Sequence, residues 1–280
     1  MRSTMTGKTV VITGASAGIG KATAVELASR GAQLVLACRD LDKAGKARTE
    51  ILARTPGARV DLVPLDLGSL RSVRACARKL ISDYPRIDVL INNAGVFPPT
   101  LRKTEDDFEE QIGVNHLGHF TLTNLLIEKL VASAPARVVS VSSMMHAGGK
   151  IDFASFRGPA KYSAYAAYRQ SKLANILFAN ELARRLAGRG VTSNSLHPGG
   201  VATENTRDAS LVVRAFARLM FTTAEKGART SVYLACSPEV EGVTGRYFVS
   251  CKEAKTDPLA QDEALARELW NESAKLVGLD

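Results

Sequence analysis

Val10-Val11-Ile12-Thr13-Gly14-Ala15-Ser16-Ala17-Gly18-Ile19-Gly20 opens the informative part of the chain. Three β-branched residues make a short strand, three glycines spaced G-x-x-x-G-x-G follow it, and a helical pattern begins directly afterwards. Glycine lets the backbone turn tightly and approach a ligand closely. The unpaired N–H groups and positive dipole end of the following helix favour a phosphate. Gly14, Ser16, Gly18, Ile19 and Gly20 are therefore candidate contacts to a pyrophosphate. Three glycines also suit an ordinary tight turn, and the spacing is not G-x-G-x-x-G; the position directly after the first strand is what favours the ligand.

Outward from this stretch the alternation repeats. Leu34–Leu36, Val60–Val63, Val89–Ile91 and Val138–Val141 are short strand-like runs, each followed by a helical pattern. Val191–Leu196 follows the long pattern Ala164–Ala187, and Tyr247–Val249 adds a seventh run. This order predicts an α/β fold, a Rossmann-type doubly wound parallel sheet of about seven strands. With 280 residues, 45% hydrophobic and 23% charged, residues 1–280 are expected to form a single dinucleotide-binding and catalytic domain. Asp257 as cap and Pro258 at the first helical position predict a closing helix that buries Leu265, Ala266 and Leu269. The least periodic stretch, 199–223, is expected to be a substrate flap, with Arg207, Arg214 and Arg218 on a solvated face. Phe216, Met220 and Phe221 there, with Met144, Met145, Phe153 and Phe156, are candidates either for an apolar pocket or for ordinary core.

A dinucleotide on the glycine loop presents its adenosine ribose to the end of the second strand. The chain has Cys38-Arg39-Asp40 there. Cys38 stands where an acid would accept from a free 2′-hydroxyl, and the Arg39 guanidinium suits a 2′-phosphate. NADP(H) is therefore expected over NAD(H), with a solvated Arg39 as the plain alternative and Asp40 as the residue that could read a free ribose. Asp66 and Leu67, where the third strand closes, are placed near the adenine; Asp66 could equally cap the helix from Ser69.

Six tyrosines are present, but a phenol that titrates near ~10 needs a cation beside it to move protons at neutral pH. Tyr168 has Lys172 at i+4, on the same helix face. Tyr165 is followed at the same spacing by Arg169, a pair that lacks further partners and reads as surface.

Thr13–Gly20, Asn92-Asn93-Ala94-Gly95, Asn115, Ser143, Tyr168-Arg169-Gln170-Ser171-Lys172 and Pro198-Gly199 together resemble the ordered motif set of the short-chain dehydrogenases/reductases. Gly245-Arg246-Tyr247-Phe248, Trp270-Asn271-Glu272-Ser273 and the wide gap from Ser143 to Tyr168 resemble the retinol-dehydrogenase-like branch. The resemblance implies Tyr168 as proton donor to a carbonyl oxygen, Ser143 orienting that carbonyl, with Ser142 second, and Lys172 lowering the phenol pKa while holding the nicotinamide ribose. It implies Asn115, on a helix expected over Thr104–Val131, holding a water that links Lys172 to solvent. Asn93, Ala94 and Gly95 would lie beside the adenosine half; Pro198, Gly199, Val201 and Thr203 would meet the carboxamide. It further implies retinoid-like substrates, and a homodimer or homotetramer formed through the helices around Asn115 and Tyr168.

The remaining features narrow the alternatives. The formal charge of +9 favours anionic ligands, but no nucleic-acid module is present and no nucleic-acid partner is expected. Cys38, Cys76, Cys236 and Cys251 have neither metal-ligand spacing nor a disulfide pattern, so buried thiols and no metal are expected. Met1–Lys8 is polar and no apolar run approaches the ~20 residues of a membrane helix, which predicts a cytoplasmic protein. His116, His119 or His146 could serve Ser143 as a base in a hydrolase, but Val141-Ser142-Ser143-Met144-Met145 lacks the glycines of a nucleophile elbow. Two functions stay in view: an NADP(H)-dependent oxidoreductase acting on a small apolar alcohol and its ketone or aldehyde, and a non-catalytic NADP-sensing regulator on the same fold. The intact Tyr168 and Lys172 favour the first.

Overall fold

The computed structural model describes residues 4–199 and 223–280. The strands are β1 (Thr9–Thr13), β2 (Gln33–Cys38), β3 (Arg59–Pro64), β4 (Val89–Asn92), β5 (Ala136–Val141), β6 (Val191–His197), β7 (Tyr247–Val249) and β8 (Lys252–Glu253). They form one sheet in the order β3-β2-β1-β4-β5-β6-β7-β8. Every pair is parallel except β7 with β8. All seven strand-like runs are strands. The unanticipated eighth is a two-residue antiparallel return, reached through Ser250 and Cys251 with φ of 51° and 63°; so short a piece leaves no periodicity to read.

The helices are α1 (Gly18–Ala28), α2 (Leu41–Arg54), α3 (Leu70–Asp83), the single turn α4 (Glu110–Ile112), α5 (Gly118–Ala132), α6 (Ala164–Arg185), α7 (Ala224–Cys236) and α8 (Glu263–Val277). They cover both faces of the sheet, as alternation along the strands requires. Val10, Ile12, Leu34, Leu36 and Ile91 pack with Leu27 of α1, Ile51 of α2 and Val232 of α7. Val11, Val35, Leu90 and Val138 pack with Leu80 of α3, Leu126 of α5, Leu177 of α6 and Trp270 of α8.

Two expected helices differ in detail. The segment expected to be continuous over Thr104–Val131 starts only at Glu110, where the Glu109 carboxylate caps the turn, and passes through a π-helical turn at Gly113–Leu117 before α5. At the C-terminus, Asp257 and Pro258 begin a 3₁₀ turn, and α8 starts five residues later on its own cap, Asp262. The turn signal was right; its continuation into the helix was not, because a second cap intervenes.

α8 lies across α6 and α5. Trp270 sits among Phe120 and Phe178, with ring centroids 5.0 and 5.7 Å away, and the Arg185 guanidinium lies 4.3 Å over its ring. That side of the helices around Asn115 and Tyr168 is closed by the chain itself, so a second copy pairing through them has only their remaining faces.

Candidate active site

Strand order reverses between β1 and β4: β2 and β3 run to one side, β5 and β6 to the other. In open parallel sheets the crevice beyond the carboxyl ends at such a switch point binds ligands. Thr13 closes β1 there, and Gly14 follows with φ +67°, a left-handed value that costs an L side chain about 1–2 kcal/mol. A Cβ on Gly14 would stand 2.8 Å from that of Ala94, and one on Gly20 would stand 2.5 Å from Asn93 Nδ2. The loop thus lies directly on Asn93-Ala94, which is further held by Asn93 N and Ala94 N donating to Thr13 Oγ1 at 2.9 and 3.0 Å and by Asn93 Nδ2 donating to Thr13 O at 2.8 Å.

The start of α1 contrasts with the other helices that begin from a loop; α5 continues directly from the π turn. Side chains cap α2 (Asp40), α3 (Ser69), α6 (Ser163), α7 (Thr223) and α8 (Asp262), whereas Ala17 provides none for α1 and its first turn holds no acid. A helix end bearing Gly18, Ile19 and Gly20 without a cap suits an external anion. Ser16 and Cys38 meet beside it: burial pushes the Cys38 thiol pKa up, opposed by hydrogen bonds from Ala15, Ser16 and Gly14.

At the end of β2, Arg39 is exposed, and none of the ion pairs among the described residues engages it. Asp40 is committed: its carboxylate accepts from Lys43 N at 2.9 Å as the cap of α2, and that bond above all holds its pKa below the usual value. Asp66, half-buried, accepts from Gly68 N at 2.9 Å, while Ser69 itself caps α3. Leu67 is buried with its carbonyl against Gly118.

Asn115 is fully buried inside the π turn. Its Oδ1 accepts from Val96 N at 2.8 Å, and its Nδ2 donates to Val96 O and to Ser171 Oγ, each at 3.1 Å. Both amide protons are thus taken by protein, while Oδ1 keeps one lone pair for a further donor.

Tyr168 and Lys172 lie on one face of α6, with Lys172 Nζ 5.3 Å from the phenol ring centroid. Burial raises the Tyr168 pKa, and a hydrogen bond with Ser143 opposes it. Lys172 is 3% exposed; burial brings its ammonium down to about 8, and Nζ donates to Val141 O at 3.2 Å. Among protein groups alone desolvation dominates both groups, and the Tyr168 pKa lies above its ordinary value where the sequence reading expected a lowered one. Ser142 is buried and donates to Lys172 O at 2.6 Å, so its hydroxyl is committed to α6. A Cβ on Gly95 would stand 3.5 Å from Lys172 Nζ and 3.4 Å from Asn115 Oδ1, so this glycine lies directly against both side chains. Phe97 stands edge-on to Tyr168 and to the exposed Tyr165, at 5.2 and 5.4 Å. Sequence reasoning missed Phe97, since one aromatic after a loop glycine carries no spacing signal.

His146 offers Ser143 no base: its Nδ1 must donate to the Ser143 carbonyl at 2.7 Å, leaving Nε2 to accept from Asp257 N at 3.1 Å. Phe156 is core, its ring tilted against that of Phe153 at 5.5 Å, whereas Met144 is exposed directly after Ser143. Pro198 and Gly199 follow β6, Gly199 with φ +90°; Val201 and Thr203, the remaining flap and its aromatic residues lie outside the described residues. All four cysteines are free, three of them buried, and no cluster of metal-ligating residues occurs among the described residues. No described helix is long and apolar enough to cross a membrane. A hollow of about 580 Å³ lies at the opposite pole, lined among others by Lys8, Asp88 and Arg137. Lys8 and Asp88 pair there at 2.9 Å, and the amino ends of parallel strands are not where this architecture binds ligands.

The architecture and its crevice place the molecule in the dinucleotide-binding class of Rossmann folds. A model of the short chain dehydrogenase family matches residues 8–211, and the chain belongs to that family. It is 48% identical to retinol dehydrogenase 13 of Mus musculus over 99% of this chain and 86% of that protein, and 49% identical to retinol dehydrogenase 14 of Homo sapiens over 98% and 88%. Among solved structures, a Mycobacterium paratuberculosis protein without described function shares 38% identity with a TM-score of 0.81, covering 99% of this chain and 96% of its own. Pseudomonas aeruginosa RhlG, solved as an NADP active-site complex, shares 25% with a TM-score of 0.72, covering 88% and 95%. The chain is accordingly an oxidoreductase of the alcohol and carbonyl type that uses a nicotinamide dinucleotide. Its own residues fit such a ligand: the uncapped start of α1 suits the phosphates, and Lys172, whose Nζ makes one hydrogen bond to protein, suits hydroxyl groups.

Proposed function

We propose that this protein is an NADP(H)-dependent reductase and dehydrogenase that interconverts an apolar alcohol and its aldehyde or ketone, with Tyr168 as acid and base. The observation that carries this reading is the meeting of Tyr168, Ser143 and buried Lys172 at the crevice beside the glycine loop. The bound dinucleotide supplies the hydride. Ser143 orients the carbonyl and Tyr168 gives its proton to the carbonyl oxygen; burial favours the protonated phenol, which is the form that reduction requires. Lys172 donates to the ribose hydroxyls and faces the negative charge that develops on the phenol oxygen. Asn93, Ala94 and Gly95 flank the adenosine side, and Asn115 supports a water toward Lys172.

Free Arg39 beside committed Asp40 supports NADP(H) over NAD(H). The relatives named as retinol dehydrogenases support an extended apolar substrate, as do Phe97, Tyr165 and Met144 around the approach to Tyr168. A sensor of the same nucleotide would gain nothing from burying an unpaired ammonium beside a phenol, so the regulatory reading draws no support from the site.

The test is Tyr168→Phe, with NADPH affinity by fluorescence titration and turnover by NADPH consumption with retinal and smaller aldehydes. Affinity should hold within about threefold while turnover falls at least ~10²-fold; full turnover refutes the assigned acid. In parallel, Arg39→Asp should shift preference toward NADH, and unchanged discrimination would move 2′-phosphate recognition elsewhere.

A further inference from the structure

His119 lies on the first turn of α5, four residues after Asn115, and is almost wholly buried. Its Nδ1 is 3.1 Å from Asn115 O. A carbonyl only accepts, so Nδ1 carries the proton and donates. Nε2 is then an acceptor, and it lies 2.8 Å from Thr13 Oγ1. The Thr13 hydroxyl has one proton to give and two lone pairs. The lone pairs take Asn93 N and Ala94 N, and the short contact to Nε2 takes the proton in preference to the 3.4 Å contact with Ile91 O. Each group leaves one arrangement for the next. The chain of donors runs from Asn93 and Ala94 through Thr13 to one edge of the imidazole, and from its other edge to Asn115.

The two ends matter differently. Thr13 is the last residue of β1 and the anchor that holds Asn93-Ala94 against the glycine loop. Asn115 carries Val96 and, through its amide, Ser171, the neighbour of Lys172. One ring therefore joins the loop on the nucleotide side to the turn on the proton-transfer side. We propose that His119 is a positioning residue whose Nε2 arm sets the nucleotide-binding loop and whose Nδ1 arm sets the Asn115 turn behind Lys172. This deepens the proposed function and rests on it. Burial, with the positive Lys172 nearby, lowers the His119 pKa to about 4, so the ring stays neutral and the donor order stands through the neutral range.

Two amide side chains separate the arms. In His119→Asn the amide falls where Nδ1 was and can still donate to Asn115 O; in His119→Gln it falls where Nε2 was and can still accept from Thr13. His119→Asn should keep kcat within about threefold and weaken NADPH about tenfold by fluorescence titration. His119→Gln should keep NADPH affinity within about threefold and lose about tenfold in kcat. His119→Leu should lose both. In the unaltered protein, the ¹⁵N spectrum of the histidines should show His119 as the neutral Nδ1–H form from pH 5 to 8, a readout that does not depend on any variant folding. An Nε2–H or protonated ring overturns the inference, as does a set of variants that only lower Tm, with kcat and NADPH affinity per folded molecule within twofold of the parent. Tyr168→Phe, run beside them, separates the failures. If it abolishes turnover while the His119 variants behave as parent, only this inference falls. If it stays fully active, or the parent binds no NADPH, the underlying reading falls with it.

Discussion

Lys172→Met should make the protein inactive and more stable. The lysine is buried, and its ammonium falls from 10.5 to about 8 through desolvation. At about 1.36 kcal/mol per pH unit, holding that charge inside costs the fold about 3 kcal/mol at neutral pH. Methionine has similar length and no charge. It gives up the Nζ bond to Val141 O, but that carbonyl keeps Asn175 Nδ2 at 3.1 Å, so no acceptor is orphaned. The expected gain at pH 7 is about 2–3 kcal/mol, or about 5–10 °C in Tm for a chain of this size. The sign with pH follows from the folded value lying below the unfolded one. Below pH 8 both states carry the proton and the full cost is present. Between about 8 and 10.5 the unfolded chain binds more protons, so the parent gains stability as pH rises. The gap between variant and parent should thus be widest below pH 8 and close by about 10.5. Thermal unfolding of both proteins from pH 6 to 10.5 measures it. A variant no more stable than the parent at pH 7, or a gap that does not narrow with pH, refutes the desolvation argument.

Gly14→Ala meets a left-handed φ and a Cβ only 2.8 Å from Ala94; strain and overpacking together should cost about 2–5 kcal/mol and weaken NADPH binding, read from the denaturant midpoint and a fluorescence titration. Unchanged values would mean the loop does not rest on Asn93-Ala94. Trp270→Ala removes the ring that α8 inserts between Phe120 and Phe178 and should cost about 3–5 kcal/mol. As the chain holds one tryptophan, the parent's emission should be blue-shifted until α8 undocks, and exposed-type emission in the folded protein would contradict the packing.

Most of the sheet was legible because a strand buried on both faces is commonly an apolar run, as in β1, β2 and β4, whereas β3 and the polar β6 were legible through their place in the alternation with helical patterns. The glycine loop was legible through position rather than composition. Asn115 was not: a helical pattern from Thr104 cannot distinguish a π turn from an α turn, since both keep the apolar residues on one side. The His119 network was equally hidden. Thr13 and His119 are 106 positions apart, and nothing local to either marks them as partners. Asp40 shows the opposite case, in which a residue considered for the ribose serves as the cap of α2, a role that the residue type at a helix start signals locally. For Tyr168 and Lys172 the spacing predicted the geometry, but desolvation, which depends on the whole fold, set the direction of both pKa values.

Those two directions explain each other when the proposed reaction, with Tyr168 as acid, is considered as a change of charge. Before transfer the phenol is neutral and the ammonium, protonated at pH 7, has a carbonyl but no anion for company. Once Tyr168 gives up its proton, the phenolate and the ammonium become a close pair in a low-dielectric site, where their attraction is strong. The cost of burying Lys172 is thus present before the reaction and relieved as negative charge develops, which is the differential stabilisation that accelerates a step. The device works only while Lys172 holds its proton. In the reductive direction, kcat/KM should therefore fall as pH rises through about 8, the value for the free protein, even though the phenol itself remains protonated there. A profile measured with NADPH and an aldehyde that stays level from pH 7 to 9.5 would show that the ammonium contributes nothing to the proton transfer.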